Sequence, residues 1–194
     1  ASIEGQIISY EVDHEALEAA ITPRTNLFLL SNPHNPTGQM YGIEDLERMA
    51  EVCLRHDLVI CSDEIHCELL LDGSRHQPVA ALSPEIAERC ITLMAPSKTF
   101  NLAGLSCGFA IVQNPHLRQR VEAAAAGIVP GVNIMGYVGA LAAFQYADDW
   151  LCDMLSYVAT NRDFLVEFVA EQLPGIRTTR PEATYLAWLD CSLL

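Results

Sequence analysis

The segment NLFLLSNPHNPTG, residues 26–38, decides how this chain is expected to fold. Its first part, residues 26–31, is an unbroken apolar run of the kind found in strands covered on both faces. Its second part places two prolines and a glycine within six residues and holds Asn32, His34 and Asn35 among them. Because proline restricts the backbone, such a loop keeps its polar side chains in place. The segment therefore predicts a buried strand that ends in a rigid polar loop.

The composition predicts a globular protein with a sizeable core and an acidic surface. Hydrophobic residues make up 51% of the 194 residues, which argues against disorder. The formal net charge is −14, from 25 acidic and 11 basic residues. Because this charge repels nucleic acid phosphates and anionic membrane surfaces, we expect neither a nucleic acid nor a membrane as a partner.

The seven cysteines predict reduced, buried thiols rather than a disulfide framework. Their number is odd, no Cys-x-x-Cys pair occurs, and several lie within apolar runs. Reduced thiols are typical of a cytoplasmic protein. The chain opens without a basic leader and an apolar stretch, and no apolar run approaches the length of a membrane span. We therefore expect neither a signal peptide nor a membrane segment.

Strands and helices alternate over the first part of the chain. Asp13 is expected to cap a first helix, and an amphipathic helix from about Ile43 follows the Pro-rich loop. Three further apolar runs are interpreted as strands: LVICSD at 58–63, CITLMA at 90–95 and CGFAIV at 107–112. Alternation of this kind predicts an α/β fold, a three-layer sandwich around a mainly parallel sheet.

The remainder of the chain is predicted to be mostly helical. Helices are expected at 114–127, 131–147 and 149–173, and the last one ends at a Pro-Gly pair. The final stretch GIRTTRPEATYLAWLD is interpreted as two short strands. The composition changes near residue 174, which indicates the start of a second, smaller α+β domain.

Polar residues follow three of the predicted strands. Asn35 lies in the loop after the first, Asp63 ends the second, and Ser97 and Lys98 follow the third within PSKTFN. The carboxyl ends of parallel strands meet at one edge of a sheet, and ligands bind there. We therefore expect these residues to converge, although they are distant in sequence.

Together these groups match what pyridoxal phosphate (PLP) requires of a protein. A desolvated lysine such as Lys98 can form an imine with an aldehyde. The Asp63 carboxylate needs a cationic partner, which a protonated ring nitrogen provides. The amide of Asn35 can donate a hydrogen bond to the ring oxygen. The residues therefore indicate PLP as cofactor.

These residues also have simpler interpretations. The Pro-rich loop could be only a rigid turn, Asp63 a helix cap and Lys98 a solvated lysine. The occurrence of all three at matching strand ends favours the cofactor site. Cys61, Asp63, His66 and Cys67 could suggest a metal site, but a strand alternates its side chains between two faces. We therefore expect no metal there.

Three motifs, NPHNPTG, SDEIH and SKTFNLAGL, resemble in order and spacing the fold-type I PLP enzymes of the class I/II aminotransferase superfamily. Within it they look most like the cystathionine β-lyase, or carbon–sulfur lyase, branch. The resemblance covers about residues 7–189. It implies that Lys98 carries the cofactor and that Asp63 pairs with the ring nitrogen. It also implies that Asn35 bonds the ring oxygen and that Ser97 contacts the phosphate.

Two positions depart from the wider aminotransferase pattern and resemble the lyase branch. Many relatives have tyrosine three residues after the aspartate and arginine eight residues after the lysine, where this chain has His66 and Ser106. By this resemblance the expected enzyme is a PLP-dependent β-lyase that cleaves a cysteine conjugate such as cystathionine. Lys98 and Asp63 would be catalytic, and His66 would lie beside the cofactor. An aminotransferase and a non-catalytic regulatory or interaction domain on the same fold are the alternatives.

The resemblance also implies a chain that is part of a longer enzyme. Residues 1–173 would form the C-terminal part of the PLP-binding large domain, and 174–194 the truncated start of a small domain. The expected phosphate-binding helix and the arginine for the substrate carboxylate fall outside the chain. In this superfamily the active site lies at a homodimer interface. We therefore expect residues 1–194 alone to be inactive.

Overall fold

The chain forms two four-stranded sheets and seven α-helices, and the computed structural model describes all of residues 1–194. None of the helices has the length and apolar character needed to cross a bilayer. The strands are β1 (Ser2–Glu4), β2 (Ile7–Ser9), β3 (Leu27–Ser31), β4 (Val59–Asp63), β5 (Cys90–Met94), β6 (Phe109–Ile111), β7 (Arg177–Thr178) and β8 (Leu189–Asp190). The helices are α1 (His14–Ala19), α2 (Ile43–Arg55), α3 (Pro84–Ala87), α4 (Pro96–Thr99), α5 (Pro115–Ala125), α6 (Ile134–Tyr146) and α7 (Asp148–Gln172).

The main sheet has the strand order β3-β4-β5-β6. Strands β3, β4 and β5 are parallel, and β6 is antiparallel to β5. Leu27 pairs with Val59 at the start of β3, and Ile60 pairs with Cys90 in the next ladder. The predicted α/β fold with a mainly parallel sheet is confirmed, because each apolar run became a strand and helices connect the parallel ones.

The core lies between this sheet and α2. The apolar residues Leu46, Met49 and Cys53 recur at helical spacing, so they share the face of α2 that turns to the sheet. They pack there with Leu30 and Ile60 from β3 and β4. Burying a large side chain of this kind stabilises the fold by about 1.5–3 kcal/mol. The core thus holds β3 and β4 in the register that positions their ends.

Polar caps begin helices α1 and α3, and the predicted Asp13 cap is confirmed. The Asp13 carboxylate accepts a hydrogen bond from the N–H of Ala16 at 2.8 Å, and Ser83 caps α3 in the same way through Ile86 at 3.2 Å. Such caps satisfy amide groups that have no partner within the helix. The three late helices lie where the periodicity predicted them, with ends that differ by one to three residues.

The outer face of β3 corrects one prediction. The apolar run at residues 26–31 was expected to be covered on both faces, but Leu29 is 71% exposed and Leu27 is 46% exposed. Side chains alternate along a strand, so Phe28 and Leu30 face the core while Leu27 and Leu29 face the opposite side. The opposite side of β3 is therefore left uncovered in this chain.

The cysteines are all unpaired, but not all are buried. Burial raises the pKa of Cys53 to about 11 and that of Cys67 to about 12, so these thiols stay protonated and unreactive. Cys152 on α7 and Cys191 beyond β8 are exposed. The expectation of buried thiols is therefore wrong for these two, because they lie on an outward helix face and next to the end of the chain.

The second sheet, with the order β1-β2-β7-β8, joins the two ends of the chain. Ile7 in β2 pairs in parallel with Thr178 in β7. The side chain of Gln6 donates hydrogen bonds at 2.9 Å to the carbonyl groups of Leu173 and Ile176. Residues on both sides of position 174 therefore share one sheet. The division into domains at 1–173 and 174–194 stays a prediction.

Arg162 on α7 ties together segments that are far apart in sequence. Its side chain is 4% exposed and donates two hydrogen bonds to the Asp72 carboxylate, at 2.6 and 2.9 Å. A third donated bond, at 3.2 Å, reaches the carbonyl oxygen of Pro181. The bonds to Asp72 raise the pKa of Arg162, so the buried guanidinium stays charged.

We expect Arg162→Leu to lower the free energy of unfolding by about 2–3 kcal/mol, because the Pro181 carbonyl and Asp72 lose their donor. Arg55→Leu is the matched control. Arg55 donates two hydrogen bonds to Glu18 in a similar arrangement, but its side chain is 52% exposed, so its loss should cost about 0–1 kcal/mol. Urea unfolding of both variants measures the difference. Equal costs would contradict a structural role for the buried guanidinium of Arg162.

Candidate active site

The predicted polar residues lie at one edge of the main sheet. Ser31, Asp63 and Leu93 are in register across the ends of β3, β4 and β5. The Pro-rich loop with Asn35 leaves from the end of β3, and α4 with Lys98 follows directly after β5. The topology therefore brings together three segments that the sequence separates.

The polar side chains inside the Pro-rich loop have different tasks. Asn32 is buried and donates its backbone N–H to the Asp63 carbonyl at 3.0 Å. Nδ1 of His34 is hydrogen-bonded to Oγ1 of Thr37 at 2.7 Å. Asn35 is exposed, and its side-chain amide makes no hydrogen bond within the chain. Asn32 and His34 therefore hold the loop, and Asn35 is the residue that the loop presents.

Residues 178–184, which we call the clamp segment, fix the Pro-rich loop from outside. The hydroxyl of Thr179 donates to the carbonyl oxygen of Thr37 at 2.8 Å. The carbonyl oxygen of Gly38 accepts from the N–H groups of Glu182 at 2.9 Å and Ala183 at 3.0 Å. The bond from Thr179 to Thr37 joins residues 142 positions apart in sequence. Sequence reasoning missed them, because no local pattern in the clamp segment indicates a contact with the loop.

The same clamp segment also fixes the loop that follows Asp63. Thr184 donates its N–H to the Leu69 carbonyl at 2.7 Å, and Leu71 donates its N–H to the Glu182 carbonyl at 2.8 Å. Leu70 and Ala183 form an isolated antiparallel bridge between these bonds. The clamp segment therefore sets the distance between the two loops that flank the strand ends.

Glu64 holds the end of β4 in place, so that Asp63 is left for other contacts. Glu64 is buried and accepts hydrogen bonds from the Ser62 hydroxyl at 2.8 Å, the Val79 N–H at 3.1 Å and Nε2 of His76 at 2.7 Å. Asp63 is half-buried, forms no ion pair, and accepts only from a neighbouring backbone N–H. Sequence reasoning passed over Glu64, although its place directly after Asp63 put it on the opposite side.

His66 is the most unusual group at this edge. It is 2% exposed, and neither of its ring nitrogens has a hydrogen-bond partner in the chain. Burial lowers the pKa of His66; the Asp63 charge opposes this and the Lys98 charge adds to it. Both charged groups therefore act on the imidazole. An unsatisfied buried polar group costs about 1–3 kcal/mol, and a polar ligand that supplied a hydrogen-bond partner would offset this cost.

Lys98 and Ser97 lie half-buried on the single turn of α4. Lys98 is the only lysine of the chain, and it forms no ion pair. The turn is closed by a hydrogen bond from the Phe100 N–H to the Pro96 carbonyl at 2.9 Å. Further along, Ser106 is exposed in the left-handed region at φ 50°. The amine of Lys98 is thus held near the strand ends without a competing carboxylate.

A large groove elsewhere on the chain does not mark this site. A groove of about 650 Å³ lies beside β3, lined mainly by apolar side chains that include Leu29, Tyr10 and Trp188. None of Asp63, His66, Ser97 or Lys98 lines it. The groove borders the exposed face of β3, where an apolar lining suits protein packing better than a polar cofactor. The polar groups at the strand ends mark the candidate site instead.

The family model for aminotransferase class I and II matches residues 4–194. The chain belongs to this family. Cystathionine beta-lyase PatB from Bacillus subtilis strain 168 is 37% identical over 186 residues, which are 95% of this chain and 48% of PatB. An aspartate aminotransferase from Geobacillus stearothermophilus is 28% identical over 176 residues, 91% of this chain and 44% of the enzyme. The chain spans about half the length of the curated relatives it matches.

Solved structures confirm the fold. The crystal structure of OvoB superposes with a TM-score of 0.91 and 43% identity, covering 99% of this chain and 50% of OvoB. Cystalysin from Treponema denticola, whose structure contains a pyridoxal 5'-phosphate cofactor, superposes with a TM-score of 0.89 and 29% identity, covering 94% of this chain and 47% of cystalysin. The motifs that suggested the family are therefore carried on the family's fold.

We expect Gly38→Ala to be costly for two reasons. At φ 71° an alanine is strained by about 1–2 kcal/mol, and its Cβ would collide with the side chain of Pro181 in the clamp segment, which adds about 1–3 kcal/mol. Gly73→Ala is the control, because Gly73 has φ 70° but open space at the Cβ position. Urea unfolding gives both costs. If the two variants were equally stable, the close approach of loop and clamp segment would not matter.

Proposed function

We propose that the protein carrying this chain is a PLP-dependent carbon–sulfur β-lyase. It would cleave a cysteine conjugate such as cystathionine to a thiol, pyruvate and ammonia. The observation that carries the proposal is the gathering of Asp63, His66 and Lys98 at one edge of the sheet. The similarity to cystathionine beta-lyase PatB supports a lyase, and His66 stands where the wider aminotransferase pattern has tyrosine.

The residues at this edge fit PLP. Lys98 offers an amine and Asp63 a carboxylate, both free of ion pairs, and His66 offers buried ring nitrogens that lack partners. We propose that Lys98 binds the cofactor covalently and that Asp63 pairs with its ring nitrogen. In the same arrangement, Asn35 and His66 would face the ring oxygen, and Ser97 would contact the phosphate.

The proposed reaction divides its tasks among these side chains. When bound, PLP supplies an electron sink for the electron pair left at the substrate's Cα. The Lys98 amine takes the Cα proton as general base, and its ammonium form then delivers a proton to the departing sulfur. The Asp63 carboxylate keeps the positive charge at the ring nitrogen in place. Asn35 and His66 orient the ring through hydrogen bonds at its oxygen.

An aminotransferase is the second candidate. The relatives include an aspartate aminotransferase at 28% identity, and both reactions begin with removal of the Cα proton. The two reactions differ after this step, because transamination returns the proton to the cofactor and does not break a bond at Cβ. The same side chains could serve either outcome, so the substrate decides between them.

We further propose that the active form is a homodimer and that residues 1–194 alone are inactive. The chain spans about half of its curated relatives, and α6 exposes large apolar side chains that suit an interface. These side chains are Ile134, Met135, Tyr137, Val138 and Leu141. The cytoplasmic location stays a prediction from the cysteine content.

Borohydride reduction tests the role of Lys98. In the protein expressed from its complete gene, we expect a pyridoxyl adduct on the peptide that contains Lys98, because its amine lies near the strand ends without a carboxylate partner. Since Lys98 is the only lysine in these 194 residues, peptide mass mapping gives one expected site within them. Lys98→Ala is the control and should remove the adduct. An adduct on a lysine elsewhere would contradict the assignment.

A substrate comparison tests the lyase. The same protein is supplied with cystathionine and, separately, with an amino acid and 2-oxoglutarate, and Lys98→Ala serves as the inactive control. We expect pyruvate and thiol from the first mixture and little glutamate from the second. Rapid glutamate formation without pyruvate would establish the aminotransferase. Absence of both products, together with no visible absorbance from a bound cofactor, would establish a non-catalytic domain.

A further inference from the structure

Tyr185 packs against the buried imidazole of His66. The two ring centroids are 5.9 Å apart and the ring planes meet at 71°, an edge-to-face arrangement. Tyr185 is 47% exposed, whereas His66 is 2% exposed. The tyrosine ring therefore forms part of the layer that separates His66 from solvent.

A continuous series of backbone contacts sets the position of this ring pair. Leu69 donates its N–H to the His66 carbonyl at 2.9 Å, and Thr184 donates its N–H to the Leu69 carbonyl at 2.7 Å. Thr184 is itself buried, and its hydroxyl accepts from the N–H of Leu186 at 3.2 Å. Hydrogen bonds thus fix the backbone on both sides of Tyr185. The clamp segment brings this tyrosine to His66, although they are far apart in sequence.

The contact uses the aromatic rings and not the polar atoms. The Tyr185 hydroxyl makes no hydrogen bond in the chain, and neither do the two ring nitrogens of His66. Burial lowers the pKa of His66, and the charged groups that act on it are Asp63 and Lys98. A neutral imidazole has one N–H donor and one acceptor nitrogen, so its ring orientation decides which of them faces the strand ends.

We infer that Tyr185 is a positioning residue, whose ring holds the His66 imidazole in the orientation that turns one ring nitrogen toward the strand-end site. The inference rests on the proposed function only for the identity of the group that His66 meets there. The packing of Tyr185 against His66 does not depend on the proposed function. Tyr185 lies outside all three sequence motifs that indicated the site.

The first test measures the protection of His66 in the protein expressed from its complete gene. The probe is diethyl pyrocarbonate, which modifies accessible imidazoles, and peptide mass mapping follows His66. We expect Tyr185→Leu to speed the modification of His66 about tenfold, whereas Tyr185→Phe should match the wild type because it keeps the ring. Tyr157→Leu is the control, since Tyr157 is exposed on α7 and has no aromatic partner. Unchanged reactivity in Tyr185→Leu would overturn the inference.

The second test asks whether Tyr185 acts through His66. The pH midpoint of the visible absorbance of the bound cofactor should shift by about one unit in His66→Gln, as expected for one lost hydrogen bond. Tyr185→Leu should shift this pH midpoint in the same direction as His66→Gln. It should also lower kcat by up to about 100-fold and change KM less than kcat. In the double variant, the Tyr185→Leu effect should disappear. An undiminished effect would overturn a role through His66.

The two tests separate failure of the inference from failure of the proposed function. A wild-type protein without cofactor absorbance would refute the proposed function, and the reactivity of His66 would still decide the inference. If Tyr185→Leu does not fold, Tyr185→Met takes its place in both tests, because methionine has similar length without a ring. Equal effects of Tyr185→Phe and Tyr185→Leu would assign the role to the hydroxyl and overturn the inference.

Discussion

The hydrogen bonds between the clamp segment and the two strand-end loops are the constraint on which the candidate site depends. The Gly38 carbonyl accepts from Glu182 and Ala183, and the Leu69 carbonyl accepts from Thr184. Buried backbone groups need partners, so neither loop can move away from the clamp segment without leaving such groups unpaired. The glycine at position 38 is what allows the approach, since a Cβ there would meet Pro181. The Pro-rich loop is rigid by composition, but its place beside Asp63 comes from these contacts.

At the strand ends, neighbouring residues divide structural and chemical tasks. Glu64 and Asn32 are buried and use their polar groups within the fold. Asp63, Lys98 and His66 keep theirs without ion pairs or, for His66, without any hydrogen bond. Side-chain alternation at the end of β4 separates Asp63 from Ser62 and Glu64, which bond to each other on the opposite side. Because Glu64 holds the fold in place, Asp63, Lys98 and His66 can remain without partners in the chain. A bound ligand offsets the cost of leaving such groups unsatisfied.

Much of the fold and of the candidate site could be predicted from local patterns in the sequence. The strands, the amphipathic face of α2 and the Asp13 cap follow from periodicities and caps that act over a few residues, and all are confirmed. The convergence of the loop, Asp63 and Lys98 could also be predicted, because parallel strands end at the same edge of a sheet. Whether both faces of β3 are covered could not be predicted, because an apolar run does not show whether another element packs on each face. Leu29 is exposed in this chain.

The strands, the family and the candidate residues of the proposed chemistry could be inferred from the amino-acid sequence alone, because motifs and periodicity are properties of neighbouring residues. The folded structure was needed to establish that Glu64 is satisfied while His66 is not, and that Tyr185 covers His66. It also decided that the clamp segment closes on the Pro-rich loop. The hydrogen bond from Thr179 to Thr37 joins residues 142 positions apart. Contacts of that separation arise from packing of the whole chain, and no local pattern encodes them.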